Sequence, residues 1–265
     1  HDGLPFPTGG TVNKPRHLSV AGAIRSRIAR GGEDRLWTYA DFPSRERMAV
    51  AAALSRLSRE GLVRRLRRGL YYRPRITILG ASRPDPQALF ESALRLRGAR
   101  AVPSGIGQFS RLGLTTQGSN VVSLAVPWRV TSSPLPGIPA RLTVRPLERQ
   151  RGIRPDERTT LDALRDLERI PDSSAAEAVE RLMTLVLAGR LDYGRLARFA
   201  LAEPPRVRAV LGALGEEIRS RRGARRRVTV HALDSLRTSL NPLTGFRIRG
   251  LADALGHAAR WRIRA

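Results

Sequence analysis

SRERMAVAAALSRLSREGLVRRLRRGLYYRPR, residues Ser44 to Arg75, decides how this chain is to be read. Val50, Leu54 and Leu57, with Ala51 and Ala53 beside them, recur at helical spacing, so the run from Ser44 to about Glu60 predicts a helix with one buried stripe. Ser44 stands as its N-cap, and Gly61 follows at the position where a left-handed backbone ends many helices. Arg45, Arg47, Ala52, Arg56 and Arg59 fall mostly off the stripe, which leaves a face of small residues and arginines turned outward. Leu62 to Leu66 and Leu70 to Tyr72 then read as two strands joined through Arg67, Arg68 and Gly69, where glycine supplies the conformation a short hairpin needs.

Upstream, Ser19 is a cap candidate, and Val20, Ile24 and Ile28 at four-residue spacing predict a first helix that Gly31 and Gly32 end. Leu36 and Trp37 form a short extended piece. Thr38 with Asp41 three residues on is a capping-box pattern that opens a short second helix before Pro43 breaks it. Three helices followed by a basic hairpin make a winged helix-turn-helix over residues 18–76, a fold that implies contact with double-stranded DNA. In that fold Ser44, Arg45, Arg47 and Arg56 lie in or beside the major groove, and Arg67 and Arg68 meet phosphates or the adjacent minor groove. Tyr71 and Tyr72 are expected to pack the base of the hairpin, because a chain with 5% aromatics lacks the spaced rings of a base-stacking platform. The same parts also fit a small helical domain whose hairpin binds a protein or nothing.

Charge points the same way. Lysine and arginine number 48 against 23 acids, a net charge of +25, and Lys14 is the only lysine. Arginine clamps phosphate or guanine bidentately, so nucleic acid is the leading partner on charge. A GC-rich genome also inflates arginine at solvated positions, but such a bias spreads evenly. Here the excess gathers at the ends: +9 over residues 18–76 and +8 over residues 216–265, against +7 over the much longer 77–215. Arg219 to Arg227 holds six arginines and reads as an exposed linker.

Several chemistries are excluded or unsupported. The absence of cysteine removes disulfides and thiolate zinc sites and fits a reducing compartment. No apolar run approaches the ~18 residues of a membrane span, so a cytoplasmic protein without membrane contact is expected. His1, His17, His231 and His257 lack metal-ligand spacing, and no cofactor motif is present: Ser104-Gly-Ile-Gly107 has two glycines and no clear preceding strand. The acid pairs Asp156-Glu157 and Glu216-Glu217 are expected to serve helix dipoles and solubility. The chain is not expected to be an enzyme. Residues 1–17, with three prolines and no Met, are expected to be a disordered leader ahead of the folded part.

Beyond the hairpin, Arg83-Pro-Asp-Pro86 marks a linker, and Asp85 to Arg97 reads as an amphipathic helix. Asn120 to Val126 and Ala140 to Leu147 look like strands across a Pro/Gly-rich turn, with Trp128 to Thr131 another candidate, so residues 80–150 form a small mixed α/β unit. Residues 151–265 are mainly helical: one helix over Pro155 to Ile170, one capped by Ser174 with Glu177, one capped by Asp192, and one opened by Pro204-Pro205 and striped by Val207, Val210, Leu211, Leu214 and Ile218. Val228 to Leu240 fits a strand or a short helix, and Trp261 to Arg264 a closing strand or an aromatic anchor. The fold class is therefore α+β.

Three blocks carry a family likeness: Leu54 to Arg75, Pro103 to Gly105 with Leu112 to Gln117, and Leu236 to Phe246. On them the chain resembles the AbiEi-type antitoxins, the repressor component of abortive-infection (type IV) toxin–antitoxin systems in phage defence. The resemblance implies a DNA-binding winged N-terminal domain, a C-terminal region needed for antitoxin activity, and repression of its own operon through an operator, inverted repeats among its forms. It also implies a nucleotidyltransferase-like toxin as functional partner, counteracted without a stable complex. Two other readings stay open at this point: an Arg-rich RNA- or ribosome-associated protein, and an interaction module that holds a toxin directly.

Overall fold

The computed structural model describes residues 19–42, 47–130, 135 and 138–264. The chain is α+β and divides into two compact units with the boundary between Asp85 and Pro86.

In the first unit the Ser19 hydroxyl accepts the Gly22 amide at 3.2 Å and starts α1 (Val20–Arg30), which buries Ile24 and Ile28. Strand β1 (Arg35–Thr38) follows. The capping box expected at Thr38 forms, with the Asp41 carboxylate accepting from the Thr38 amide at 2.6 Å and hydroxyl at 2.9 Å. It opens only a single 3-10 turn, Tyr39–Asp41, in place of the expected short helix. The residue ahead of a proline is driven out of the helical region, and Phe42, ahead of Pro43, is extended at φ −119 and ψ 107. Helix α2 (Arg47–Arg59) buries Val50, Ala53, Leu54 and Leu57, as the stripe predicts. At its end the amides of Gly61 and Leu62 return to the carbonyls of Ser58 (3.2 Å) and Leu57 (3.0 Å), the paired bonds of a Schellman stop.

Strands β2 (Arg64–Arg67) and β3 (Leu70–Arg73) form the expected hairpin, and β1 pairs antiparallel with β3 to give the order β1-β3-β2. The register shifts between Arg65 and Arg67, so Leu66 is the extra residue of a bulge that twists the ribbon. Tyr71 and Tyr72 are buried, and Tyr71 joins Trp37, Phe42, Ile28 and Leu54 in one core. A second small ribbon, β4 (Ile76–Thr77) with β5 (Gly80–Ala81), presents Ile78 and Leu79 to solvent.

The second unit begins with α3 (Pro86–Arg95), β6 (Val102–Pro103), α4 (Ile106–Arg111), β7 (Val122–Val126) and β8 (Ala140–Val144). β6 lies antiparallel and β8 parallel to β7, and Phe90, Leu94, Val122, Leu124 and Val126 close a core on one sheet face. Trp128 to Val130 is not a strand.

Helices α5 (Pro155–Arg165), α6 (Ala175–Leu187), α7 (Tyr193–Ala200), α8 (Pro205–Ser220) and α9 (Val230–Thr238) build the larger core, with the α8 stripe at its centre. The single helix expected over Pro155 to Ile170 stops at Arg165 and resumes as a 3-10 turn, Leu167–Arg169. The ambiguous stretch after Val228 is helical because the Thr229 hydroxyl caps it, accepting the Ala232 amide at 3.2 Å. The tail satisfies both of its expected roles: β10 (Ile263–Arg264) pairs parallel with β9 (Phe246–Arg247), and Trp261 is buried. The sequence-derived regions before and after residue 150 fall in this one unit, joined where Arg145, just past β8, meets Asp162 of α5 at 2.6 Å.

Two acids behave differently from expectation. Glu157 and Glu216 are buried, because each faces arginines: Glu157 takes Arg195 at 2.5 Å and the Arg154 amide at 2.9 Å, and Glu216 takes Arg237, with Arg260 at 3.5 Å. A buried carboxylate is tolerable only when paired and hydrogen-bonded. Burial works to raise the pKa of Glu157, but the Arg195 and Arg154 hydrogen bonds outweigh it and hold the carboxyl below its ordinary value. The Arg219 to Arg227 stretch is likewise only partly a free linker, since Arg219 reaches the Val228 carbonyl at 2.6 Å and Arg221 the Glu180 carboxylate at 2.8 Å.

Candidate nucleic-acid interface

Tyr39, in the 3-10 turn between β1 and α2, organises the basic surface of the first unit. The Arg47 guanidinium, at the start of α2, lies 5.5 Å from the centre of the Tyr39 ring, within the range of a cation–π contact. The other neighbour of that ring is the hairpin turn: Gly69 has φ +80, and a Cβ built on it would stand 2.9 Å from Tyr39 Cε2. Tyr71 of β3 closes the arrangement, its ring centre 6.5 Å from that of Tyr39. The first residue of α2 and the turn carrying Arg67 and Arg68 therefore flank one aromatic ring.

Of the residues expected to meet DNA, Arg47, Arg56 and Arg68 are exposed and Arg67 is half-buried; Ser44 and Arg45 lie outside the described residues. The side chains of Arg56, Arg59, Arg64, Arg65 and Arg68 make no hydrogen bond or ion pair with the described residues, so their guanidinium donors stay open to an external anion. Other arginines of this unit are occupied by the fold. Arg73 donates to the carbonyls of Ile28 (2.9 Å) and Ala29 (2.8 Å) at the end of α1, Arg25 pairs with Glu60, and Arg75 lies 3.3 Å from Asp34.

Asp34 holds the segment after β3 against β1. Its Oδ1 accepts from the hydroxyls of Ser82 and Tyr72 (2.8 Å) and from the Arg75 amide (3.3 Å), with its own backbone at φ +56. Those bonds, the Ser82 bond foremost and the Tyr72 bond next, keep its carboxyl below the ordinary carboxylate range.

Charge pattern alone did not single out Tyr39 or Asp34. The capping box at Thr38 marked a helix start, and nothing in the sequence showed that an aromatic just inside it would meet a turn thirty residues on. Among the described residues no group of three side chains is placed to hold a metal ion, and no helix is long and apolar enough to cross a membrane.

Residues 33–127 match the model of a family of unknown function, DUF6088. No curated protein matches the chain. The crystal structure of the RV2827C protein from Mycobacterium tuberculosis is similar over 88% of this chain and 86% of that one, at 15% identity and a TM-score of 0.47.

Proposed function

We propose that residues 18–76 form a winged helix-turn-helix that binds double-stranded DNA, and that the chain is an antitoxin of the AbiEi type repressing its own operon. The observation that carries the DNA reading is the Tyr39 junction, which gathers Arg47 and the hairpin turn on one ring and so brings the start of a helix and a basic loop to one locality. A helix whose outward face offers Ala52, Arg56 and Arg59 enters a major groove without steric obstruction, while the turn arginines meet phosphate. Ser44 and Arg45 precede Arg47 and extend the same contact by sequence position. Specificity then resides in α2, and affinity is shared with the hairpin.

Titration of the full chain against duplex DNA from upstream of its own gene, a scrambled duplex and an RNA of equal length, at two salt concentrations, tests the reading. Preference for the upstream duplex at both salts is expected. Equal competition by RNA replaces the operator reading with a shape-reading RNA partner. The antitoxin role is tested by co-expression with a nucleotidyltransferase-like toxin encoded beside it: growth is restored without the two proteins co-purifying. Co-purification would assign neutralisation to direct capture instead.

A further inference from the structure

The second unit contains a cavity of about 260 Å³ built on the polar face of its small sheet. Side chains alternate along β8, so Leu142 turns to the apolar core while Arg141 and Thr143, with Arg145 beyond the strand, line the cavity. Ser123 of β7, paired with Arg141, shares that face. The opposite wall is the Ser104-Gly105-Ile106 segment, part of the two-glycine motif of the sequence. The Ser104 amide bonds to the Ser123 carbonyl at 3.0 Å, and Gly105, at φ +74, is pressed so close to β7 that a Cβ would stand 3.0 Å from that of Ser123. Ile106, Phe109 and Val121 give the cavity an apolar side.

Its charge is unbalanced. Arg145 is buried and held by Asp162 (2.6 Å from Nε) and Asp166 (3.1 Å from Nη2), which fixes its orientation and leaves further N–H donors on both Nη atoms. The Arg141 side chain has no hydrogen bond or ion pair among the described residues, and the Arg169 guanidinium has only Asp166 at 3.9 Å. Three guanidinium groups thus share one cavity-lining carboxylate, with the hydroxyls of Ser104 and Thr143 beside them.

We propose that this cavity binds a small organic anion, a phosphomonoester or a carboxylate joined to an aromatic or apolar group. The anionic end meets Arg141, Arg145 and Arg169, where charge-assisted bonds are strongest, and the apolar end lies on Ile106, Phe109 and Val121. The volume admits a metabolite-sized molecule. The assignment is independent of the DNA reading, because every lining residue belongs to the second unit.

Calorimetric titration of the full chain with phenyl phosphate, benzoate and inorganic phosphate tests it. Saturable binding of phenyl phosphate or benzoate, tighter than inorganic phosphate, is expected, and the better of the two identifies the anionic group. Arg141→Ala and Arg169→Ala, both exposed and so removable without unfolding, each weaken that binding at least tenfold, while Arg149→Ala, an exposed arginine off the cavity, leaves it unchanged. The proposal is overturned if neither organic anion saturates the protein, if inorganic phosphate binds as tightly as both, or if Arg149→Ala loses as much as the cavity variants.

Discussion

Tyr39 meets both sides of the candidate interface, so the smallest change at its contacts separates packing from charge. Gly69→Ala adds one methyl group at φ +80, where a side chain costs about 1–2 kcal/mol, and drives it toward Tyr39 Cε2. The expected outcome is a first unit destabilised by roughly that amount and weaker DNA binding with every charge intact, read by urea unfolding and by titration with duplex. Asp34 gives a pH prediction. Its carboxyl ionises more readily in the fold than in the unfolded chain, held down first by the Ser82 hydroxyl and then by Tyr72. The stability it confers is complete above its unfolded pKa of about 3.9 and is lost as pH falls through the lower folded value. Asp34→Asn, which keeps a residue type tolerant of φ +56, therefore lowers stability at neutral pH and flattens the acid side of the profile; unfolding curves from pH 7 to pH 2 check both.

At the level of elements, α2 and the β2–β3 hairpin are assigned different work, and substitution distinguishes them. Arg47→Ala on α2 is expected to cost about 1–3 kcal/mol of discrimination between the upstream and scrambled duplexes, as a lost base contact does. Arg67→Ala and Arg68→Ala are expected to weaken binding to all duplexes alike and to reduce the salt slope by about one each, as lost phosphate contacts do. Unchanged preference in the Arg47 variant removes the base-reading role of α2. These elements were legible because their signals are local: a stripe at Val50, Leu54 and Leu57, a stop at Gly61, a turn at Gly69. Where the deciding contact is distant, legibility ended. The strands at Val122–Val126 and Ala140–Val144 could be named, but their parallel pairing depends on the path of the connection between them, which local pattern does not encode. The cavity escaped notice for the same reason, since Ser104, Arg141 and Arg169 meet only after that pairing forms.

Across the whole molecule, the count of 48 basic residues overstates the surface available to a polyanion, because the second unit folds many arginines against its acids. Arg145, Arg165, Arg195, Arg206, Arg221 and Arg237 all pair internally, with partners such as Glu203 and Glu157 lying 38 residues away from Arg165 and Arg195. Helical i,i+3 and i,i+4 logic cannot see such pairs, which is why the acids looked like solubility residues. Their worth depends on depth. Arg145 and Asp162 are both nearly inaccessible, so Asp162→Ala removes a buried charge-assisted hydrogen bond, leaves Arg145 with Asp166 as its carboxylate partner, and is expected to cost about 1.5–3 kcal/mol, whereas Glu148→Ala, which breaks the exposed pair with Arg151, costs about 0–1 kcal/mol. Replacing Arg145 and Asp162 together by Met and Leu removes both desolvation penalties, so the double variant is expected to lose less stability than Asp162→Leu alone. Urea unfolding of the wild type, Arg145→Met, Asp162→Leu and the double variant measures the cycle; a double variant less stable than either single change would show that hydrogen bonding by this pair, and not relief from unpaired charge, governs the packing of β8 against α5.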